Sequence, residues 1–320
     1  MYHRKSILNF FVIISLINSS IYCSENDEFV VPQPINLISN NIDQLVIDGI
    51  SYIKEHGDLF EANAGSGQQA YDVNYILTNP LNRVHTLRGK IARRYFCREL
   101  LAYFNGSLKV HDGLEQASSV WKNLADDNGN IASNYGYYIF HQQLPHFEDK
   151  TQYDWIIFCF LSNPDSRKAL ININQPCHKI NGIKDYPCTV ALQFFIRKNK
   201  FCCNVMSRST DIFTGLPYDM GFFSFLTELL YKDLKQKMPS EISEKLNLGY
   251  VMMKTNFTQI YDKTRTKTLK LLETPEDHFQ NYFSDMPEIV DAQETLSDIY
   301  NKTSHTSVMK WIYKNAKFEN

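Results

Sequence analysis

Excess basic charge, metal-ligand spacing and the glycine signatures of nucleotide loops are all missing from this chain. Lysine plus arginine number 33 against 35 aspartate plus glutamate, a net charge of −2. No basic field therefore draws in a nucleic acid, and an anionic ligand has to be met locally. The seven cysteines are an odd number without CxxC spacing, so they suggest reduced thiols rather than a disulfide framework. Cys177-His178 is the lone pair with any metal-ligand character, and no metal is expected. No GxSxG elbow, P-loop or GxGxxG after a strand occurs, and Asn63 to Gly67 is a weak anion-loop candidate. Repeats, long linkers and low-complexity tracts are absent too. What remains is a 320-residue chain with ordinary apolar content, 43%, which predicts one α+β globule holding a small molecule.

The first residues follow a different logic. MYHRK supplies a positive start, SILNFFVIISLI an apolar run and NSSIYCSEN a small, polar exit, the order of a signal peptide over residues 1–23, or of an N-terminal anchor. Only an uncleaved anchor would bring the chain to a membrane. The sequons at Asn105 and Asn256 fall inside patterned segments, which weighs against a glycosylating lumen. The free cysteines favour the cytoplasm.

From residue 24 to 276 the pattern is that of a folded domain. Ile42, Leu45, Val46, Ile50 and Ile53 recur at helical spacing until His56-Gly57. Phe96, Leu100, Leu101 and Phe104 mark a second helix ending at Asn105-Gly106, and Asp126 to Gly129 reads as a turn. Trp155 to Leu161, apolar on every side, fits a buried helix or a strand, closed by Asn163-Pro164. Ala169–Asn174, Val190–Ile196 and Phe201–Met206 read as strands, and Pro217 starts a helix through Leu230. Val251–Met253 predicts a further strand and Phe257–Leu272 a helix. Residues 277–320 form a polar C-terminal extension expected to pack peripherally.

Several polar residues stand in unexpected places. Glu99 lies on an apolar helix face, where an unpaired carboxylate is costly or shifts its pKa. Cys188, between Pro187 and Thr189 at a strand start, is either a small core residue or a thiol at the lip of a cleft. Arg208 is a cation that would lower its pKa. Arg208 to Asp211 follow a strand and lead through Gly215 and Pro217 into a helix, a setting for an anion or for a solvated turn. Asn163 to Lys168 is a similar turn with two adjacent cations.

These pieces, in this order, resemble the thymidylate synthase and deoxycytidylate (dCMP) hydroxymethylase family from about Ile42 to Thr264. The matching stretches are RELLAYFNG, VWKNLADDNGNIASNYG, NPDSRK, PCTVALQF, RSTDIFTGLPYD and TQIY. The resemblance implies a mixed sheet packed by helices, a twofold homodimer, and 5,10-methylenetetrahydrofolate as co-substrate with a pyrimidine nucleotide. It selects Cys188, five residues before Gln193-Phe194, as the nucleophile that adds to C6 of the base. Glu99 resembles the carboxylate that moves protons about the ring, and Asp211 the aspartate near pyrimidine and folate. Arg208 and Ser209 resemble the phosphate ligands, and Arg167 with Lys168 the pair that reaches the partner's phosphate. Gln193 resembles an interior polar position and Tyr261 the tyrosine on the sugar 3′-hydroxyl. Trp121 and Tyr135 resemble the folate-side lining.

Asp219 stands where the synthases carry asparagine. Uracil presents a donor at N3 and an acceptor at O4; cytosine reverses this, which suits a carboxyl group. With Thr189 after the nucleophile, the resemblance is closer to the hydroxymethylases and implies dCMP. The rivals are a thymidylate synthase or dUMP hydroxymethylase reading uracil through a protonated Asp219, and a nucleotide-binding protein that has lost turnover. Gln259 replaces the family's sugar-side histidine, and the phosphate loop has only Asn63 nearest its basic residue.

Overall fold

The first helix begins because Asn41 is extended and its side chain accepts the amide of Gln44. It then runs Ile42–His56 (α1) and buries Ile42, Leu45, Val46, Ile50 and Ile53. This computed structural model describes residues 31, 33–62 and 64–317. The signal-like segment 1–23 and Asn63 lie outside the described residues. Among those described, no helix is long and apolar enough to cross a membrane.

Among the described residues eight strands make one sheet. In chain order they are β1 (Ile35–Ser39), β2 (Asp58–Ala62), β3 (Gly65–Leu77), β4 (Leu170–Asn172), β5 (Thr189–Arg197), β6 (Lys200–Ser207), β7 (Thr210–Asp211) and β8 (Asn247–Tyr261). The path is β1-β3-β8-β6-β5-β4, with β2 beside β3 and β7 beside β8. Parallel and antiparallel pairs mix. β3 exchanges one edge partner for another: its first half pairs β2 and its second half β1. Asp72, with φ 51°, sits at the changeover, a conformation that aspartate tolerates better than most side chains.

The remaining long helices are α2 (Gly89–Asn105), α3 (Gln152–Ser162), α4 (Leu216–Lys237), α5 (Ala292–Asn301) and α6 (Ser307–Ala316). Gly106 closes α2 in the left-handed region at φ 65°. α3 resolves the open reading of Trp155–Leu161 as helix, started by a Thr151–Asp154 capping box. α4 carries Phe222, Phe223, Phe225, Leu226, Leu229 and Leu230, all fully buried.

Two expectations fail here. Phe257–Tyr261 is strand, not helix: β8 pairs β3 from Val251 to Tyr261, and within the expected span α-helix begins only at Arg265 and runs to Lys270. Alternation in TNFTQIY belongs to that pairing. The C-terminal extension is also not peripheral. Ile289, Ala292, Ile299, Val308, Met309, Ile312 and Ala316 are buried, since α5 and α6 are amphipathic and their polar faces conceal the apolar ones in a hydropathy average.

The extension is tied to the core by charge. Arg83 Nη2 lies 2.7 Å from Glu228 Oε2, with side-chain exposures of 1% and 0%. Glu228 Oε1 accepts the Ile289 amide at 2.8 Å, and Arg83 Nε contacts Met286 Sδ at 3.4 Å. Breaking one side of such a pair strands a buried charge. Arg83→Met is expected to lose about 3–5 kcal/mol of unfolding free energy in urea, with Arg83→Met/Glu228→Gln recovering much of it. Equal losses in single and double variants would show that the charge is not the cause.

Candidate active site

β5 and β6 are joined by Lys198-Asn199, both at positive φ, 48° and 60°, the mark of a two-residue type I′ hairpin. Its register runs up the hairpin to Thr189 opposite Ser207, with one irregularity between Thr189 and Ala191. The residues just outside that last pair are Cys188 and Arg208, and the Arg208 amide donates to the Cys188 carbonyl at 2.9 Å. The guanidinium folds back over the same strand end. Nε donates to Pro187 O at 3.1 Å and Nη2 to Tyr186 O at 2.7 Å. Nη2 is also 3.6 Å from Cys188 Sγ, and Nη1 donates to Ser209 Oγ at 3.1 Å. Ser209 Oγ lies 3.7 Å from the thiol.

Burial pushes the Cys188 thiol up; Arg208 pulls it back, Asp219 opposes that, and Ser209 helps. The resting group is a thiol beside a cation that favours the thiolate. By contrast, Cys177 is exposed, whereas His178 is buried and bonds Tyr138 at 2.8 Å and the Gln175 amide at 3.2 Å. That pair does not form a nucleophile and base.

Arg208 and Ser209 occupy the gap where β8 exchanges β6 for β7, whose Asp211 pairs Gln259. Asp211 accepts the Phe213 amide at 2.8 Å and the Thr214 hydroxyl at 2.7 Å, turning the chain into α4. Gly215 is required there, since a Cβ would meet Asp211 O and Thr210 Oγ1 at 2.9 Å. Burial raises the Asp211 carboxyl despite these bonds. At the end of β8, the Tyr261 hydroxyl is raised by burial and then by Asp211 and Cys188, so strand β8 brings it to the same cleft. Asp219, in the first turn of α4, is pushed well above the usual carboxylate range by burial and by Glu99.

α2 supplies the opposite wall. Tyr95, Glu99 and Tyr103 recur every fourth residue and so share one face. The Tyr95 hydroxyl donates to Glu99 Oε1 at 2.7 Å and accepts from Trp121 Nε1 at 3.3 Å. Burial lifts the Glu99 carboxyl to about 7 while bonds from Tyr95 and Tyr103 resist the rise. A cleft of about 850 Å³ opens beside them, lined by Tyr95, Trp121, Tyr218, Asp211, Arg88 and Lys263 among others.

Tyr135 departs from its expected place. It is stacked between Tyr103 and Phe223 at 5.4 and 5.8 Å and is 4% exposed. Thr189, Asp219 and Cys188 stand near its hydroxyl. It thus stands on the nucleophile's side of the wall, whereas Trp121 and Asp211 line the large cleft. Gly136 makes this fit possible, because a Cβ would meet Tyr103 O at 1.8 Å.

Arg167, Lys168 and Gln193 do not join the cluster. Arg167 and Lys168 are exposed between α3 and β4, and Gln193 Nε2 reaches Arg167 O at 3.4 Å. Gln193 pairs Asn204 and is only half-buried. It is not interior: the period of two puts it on the sheet face away from Leu192 and Phe194. Residues that sequence reasoning missed are Tyr95, Tyr103, Tyr218, Arg88 and Lys263. The four-residue tyrosine spacing about Glu99 was the available signal. Among the described residues no group is placed to hold a metal ion.

A family model described as thymidylate synthase matches residues 48–292. A protein named deoxycytidylate 5-hydroxymethyltransferase, from Enterobacteria phage T6, is 30% identical over 156 residues, 48% of this chain and 61% of that relative's length.

Two outcomes test the electrostatics. Because the folded Glu99 carboxyl sits near 7 against 4.5 in a free chain, the unfolded chain ionises first as pH rises. Stability then falls between those values and is level above them. Wild type is expected to lose about 3 kcal/mol relative to Glu99→Gln between about pH 4 and pH 8 in urea titrations; parallel curves would refute the shift. In a Cys177→Ser background, Arg208→Ala should move the pH midpoint of Cys188 alkylation by iodoacetamide upward. An unchanged midpoint would mean that the cation does not act on the thiol.

Proposed function

This chain belongs to the thymidylate synthase family, and from that premise we propose that it transfers a one-carbon unit from 5,10-methylenetetrahydrofolate to C5 of dCMP, giving 5-hydroxymethyl-dCMP. The observation that carries this reading is Asp219, a half-buried carboxyl on the α4 wall whose hold on a proton is strengthened by burial and by Glu99. Against cytosine, such a group shares that proton with N3 and accepts from the C4 amino group. It also balances the charge that enters the ring when a thiolate adds.

Arg208 and Ser209 would take the nucleotide phosphate, the guanidinium being already aimed by the carbonyls of Tyr186 and Pro187. Cys188 adds to C6 once its proton leaves, and C5 becomes the carbon nucleophile. Glu99 moves protons between ring and co-substrate, for which a carboxyl near 7 suits both directions. Tyr261 would hold the sugar. The large cleft fits the folate: Trp121, Tyr95 and Tyr218 offer flat apolar faces to its bicyclic ring, and Arg88, Arg94 and Lys263 offer cations to its carboxylates. When bound there, it supplies carbon at the oxidation level of formaldehyde. C5 bonds that carbon and gives up its proton, tetrahydrofolate departs to leave an exocyclic methylene, and water adds to it as the C6–Cys188 bond breaks and returns the thiolate.

We further propose a twofold homodimer through the outer sheet face, where Val190, Met206 and Phe257 are 38–40% exposed, with Arg167 and Lys168 serving the partner's phosphate. Free thiols among the described residues favour the cytoplasm.

A protonated Asp219 could also donate to uracil O4, which keeps a dUMP-directed synthase or hydroxymethylase as the second reading. Tritium release from C5-labelled dCMP and dUMP with the co-substrate, followed by mass spectrometry of the products, separates the two. Release from dCMP with a hydroxymethyl product is expected, lost in Cys188→Ala. Asp219→Asn should shift preference toward dUMP by roughly a hundredfold. Release from dUMP alone would favour the second reading, and release from neither would leave a nucleotide-binding protein on the same fold.

A further inference from the structure

The hydroxyl of Tyr95 has no choice of direction. An indole N–H only donates, so at 3.3 Å from Trp121 Nε1 the Tyr95 oxygen must accept. Its single proton therefore goes to Glu99 Oε1, 2.7 Å away. The tyrosine is itself held, by its ring at 4.6 Å from that of Tyr218, whose hydroxyl in turn accepts from Arg88 at 2.9 Å. A carboxyl oxygen that already accepts a strong bond is the poorer site for a proton, so with Tyr103 also bonded to the carboxyl it is Tyr95 that turns exchange away from Oε1 and toward Oε2.

We propose that Tyr95 is a positioning residue that, oriented by Trp121, reserves Glu99 Oε1 as an acceptor and so fixes Oε2 as the atom through which Glu99 takes and gives up protons. The groups that face Glu99 are Tyr95 and Tyr103 on α2 and Tyr218 and Asp219 on α4. Tyr218 also takes a donor, Arg88, but it is the Tyr95 hydroxyl that joins such a donor to Glu99, at 2.7 Å. A tyrosine that merely filled space would leave the carboxyl indifferent to loss of the hydroxyl. This inference rests on the reading of Glu99 as a catalytic group, yet the bond itself is testable without turnover.

The experiment is a carbon-13 titration of glutamate carboxyls in the full chain, with Glu99 assigned by the signal lost in Glu99→Gln. Removing the donor to the charged form should raise the midpoint in Tyr95→Phe by roughly one pH unit. The acid limb of kcat for C5 tritium release should follow it, with KM for dCMP unchanged. Trp121→Phe, which leaves the tyrosine but frees its direction, should raise the midpoint less. An unmoved midpoint in a folded Tyr95→Phe overturns the proposal; should that variant not fold, an unmoved midpoint in Trp121→Phe does so. If wild type releases no tritium, the reaction assigned above fails, while the titration still decides whether Tyr95 governs Glu99.

Discussion

The register of the β5–β6 hairpin is the constraint on which the rest of the site depends. A two-residue turn with both residues at positive φ leaves the flanking strands one way to pair. A slip of one residue would turn every side chain to the other face. Cys188 and Arg208 meet because the pairing ends where it does. The guanidinium can then close on Tyr186 and Pro187, the two carbonyls that precede the thiol. β8 adds the second half of the frame. By giving up β6 and taking β7, it opens a gap for Arg208 and Ser209 and delivers Tyr261 beside them.

Within that frame burial governs the charge. Cys188, Glu99, Asp211 and Asp219 are all raised by removal from water, and the one cation against the thiol is already bonded to two carbonyls. Burial thus weighs against charge throughout the resting cleft. Proton release depends on what enters: an anion at Arg208 and Ser209, and a base against Asp219, change the balance that burial has set. The tyrosines on α2 make Glu99 an exception, holding it in the range where either protonation state is accessible.

Much of this was legible before any coordinates. Gly57 and Gly106 mark helix ends by chemistry that acts locally, and the hairpin showed itself in two apolar runs around Arg197–Lys200. Cys188, Arg208, Ser209, Asp211 and Asp219 followed from motif order, since each sits at an element boundary. What was not legible depends on partners distant in sequence. Phe257–Tyr261 is strand because β3 lies beside it, a fact that no local window contains. Tyr135 was placed with the folate lining, but its position follows from the missing Cβ of Gly136 against Tyr103. Gln193 looked interior because it lies in an apolar run, though strand alternation turns it outward.

The Arg83–Glu228 pair joins segments that are synthesised far apart in time. Arg83 is made well before Glu228, and the glutamate's other oxygen accepts the amide of Ile289, made later still. While a ribosome is still extending the chain, the sheet and α4 can form, but both charges face an unfinished interior until residues near 289 leave the exit tunnel. A nascent chain at that point carries a water-filled seam rather than a core. Chaperone dependence should accordingly ease as α5 and α6 emerge and close over it.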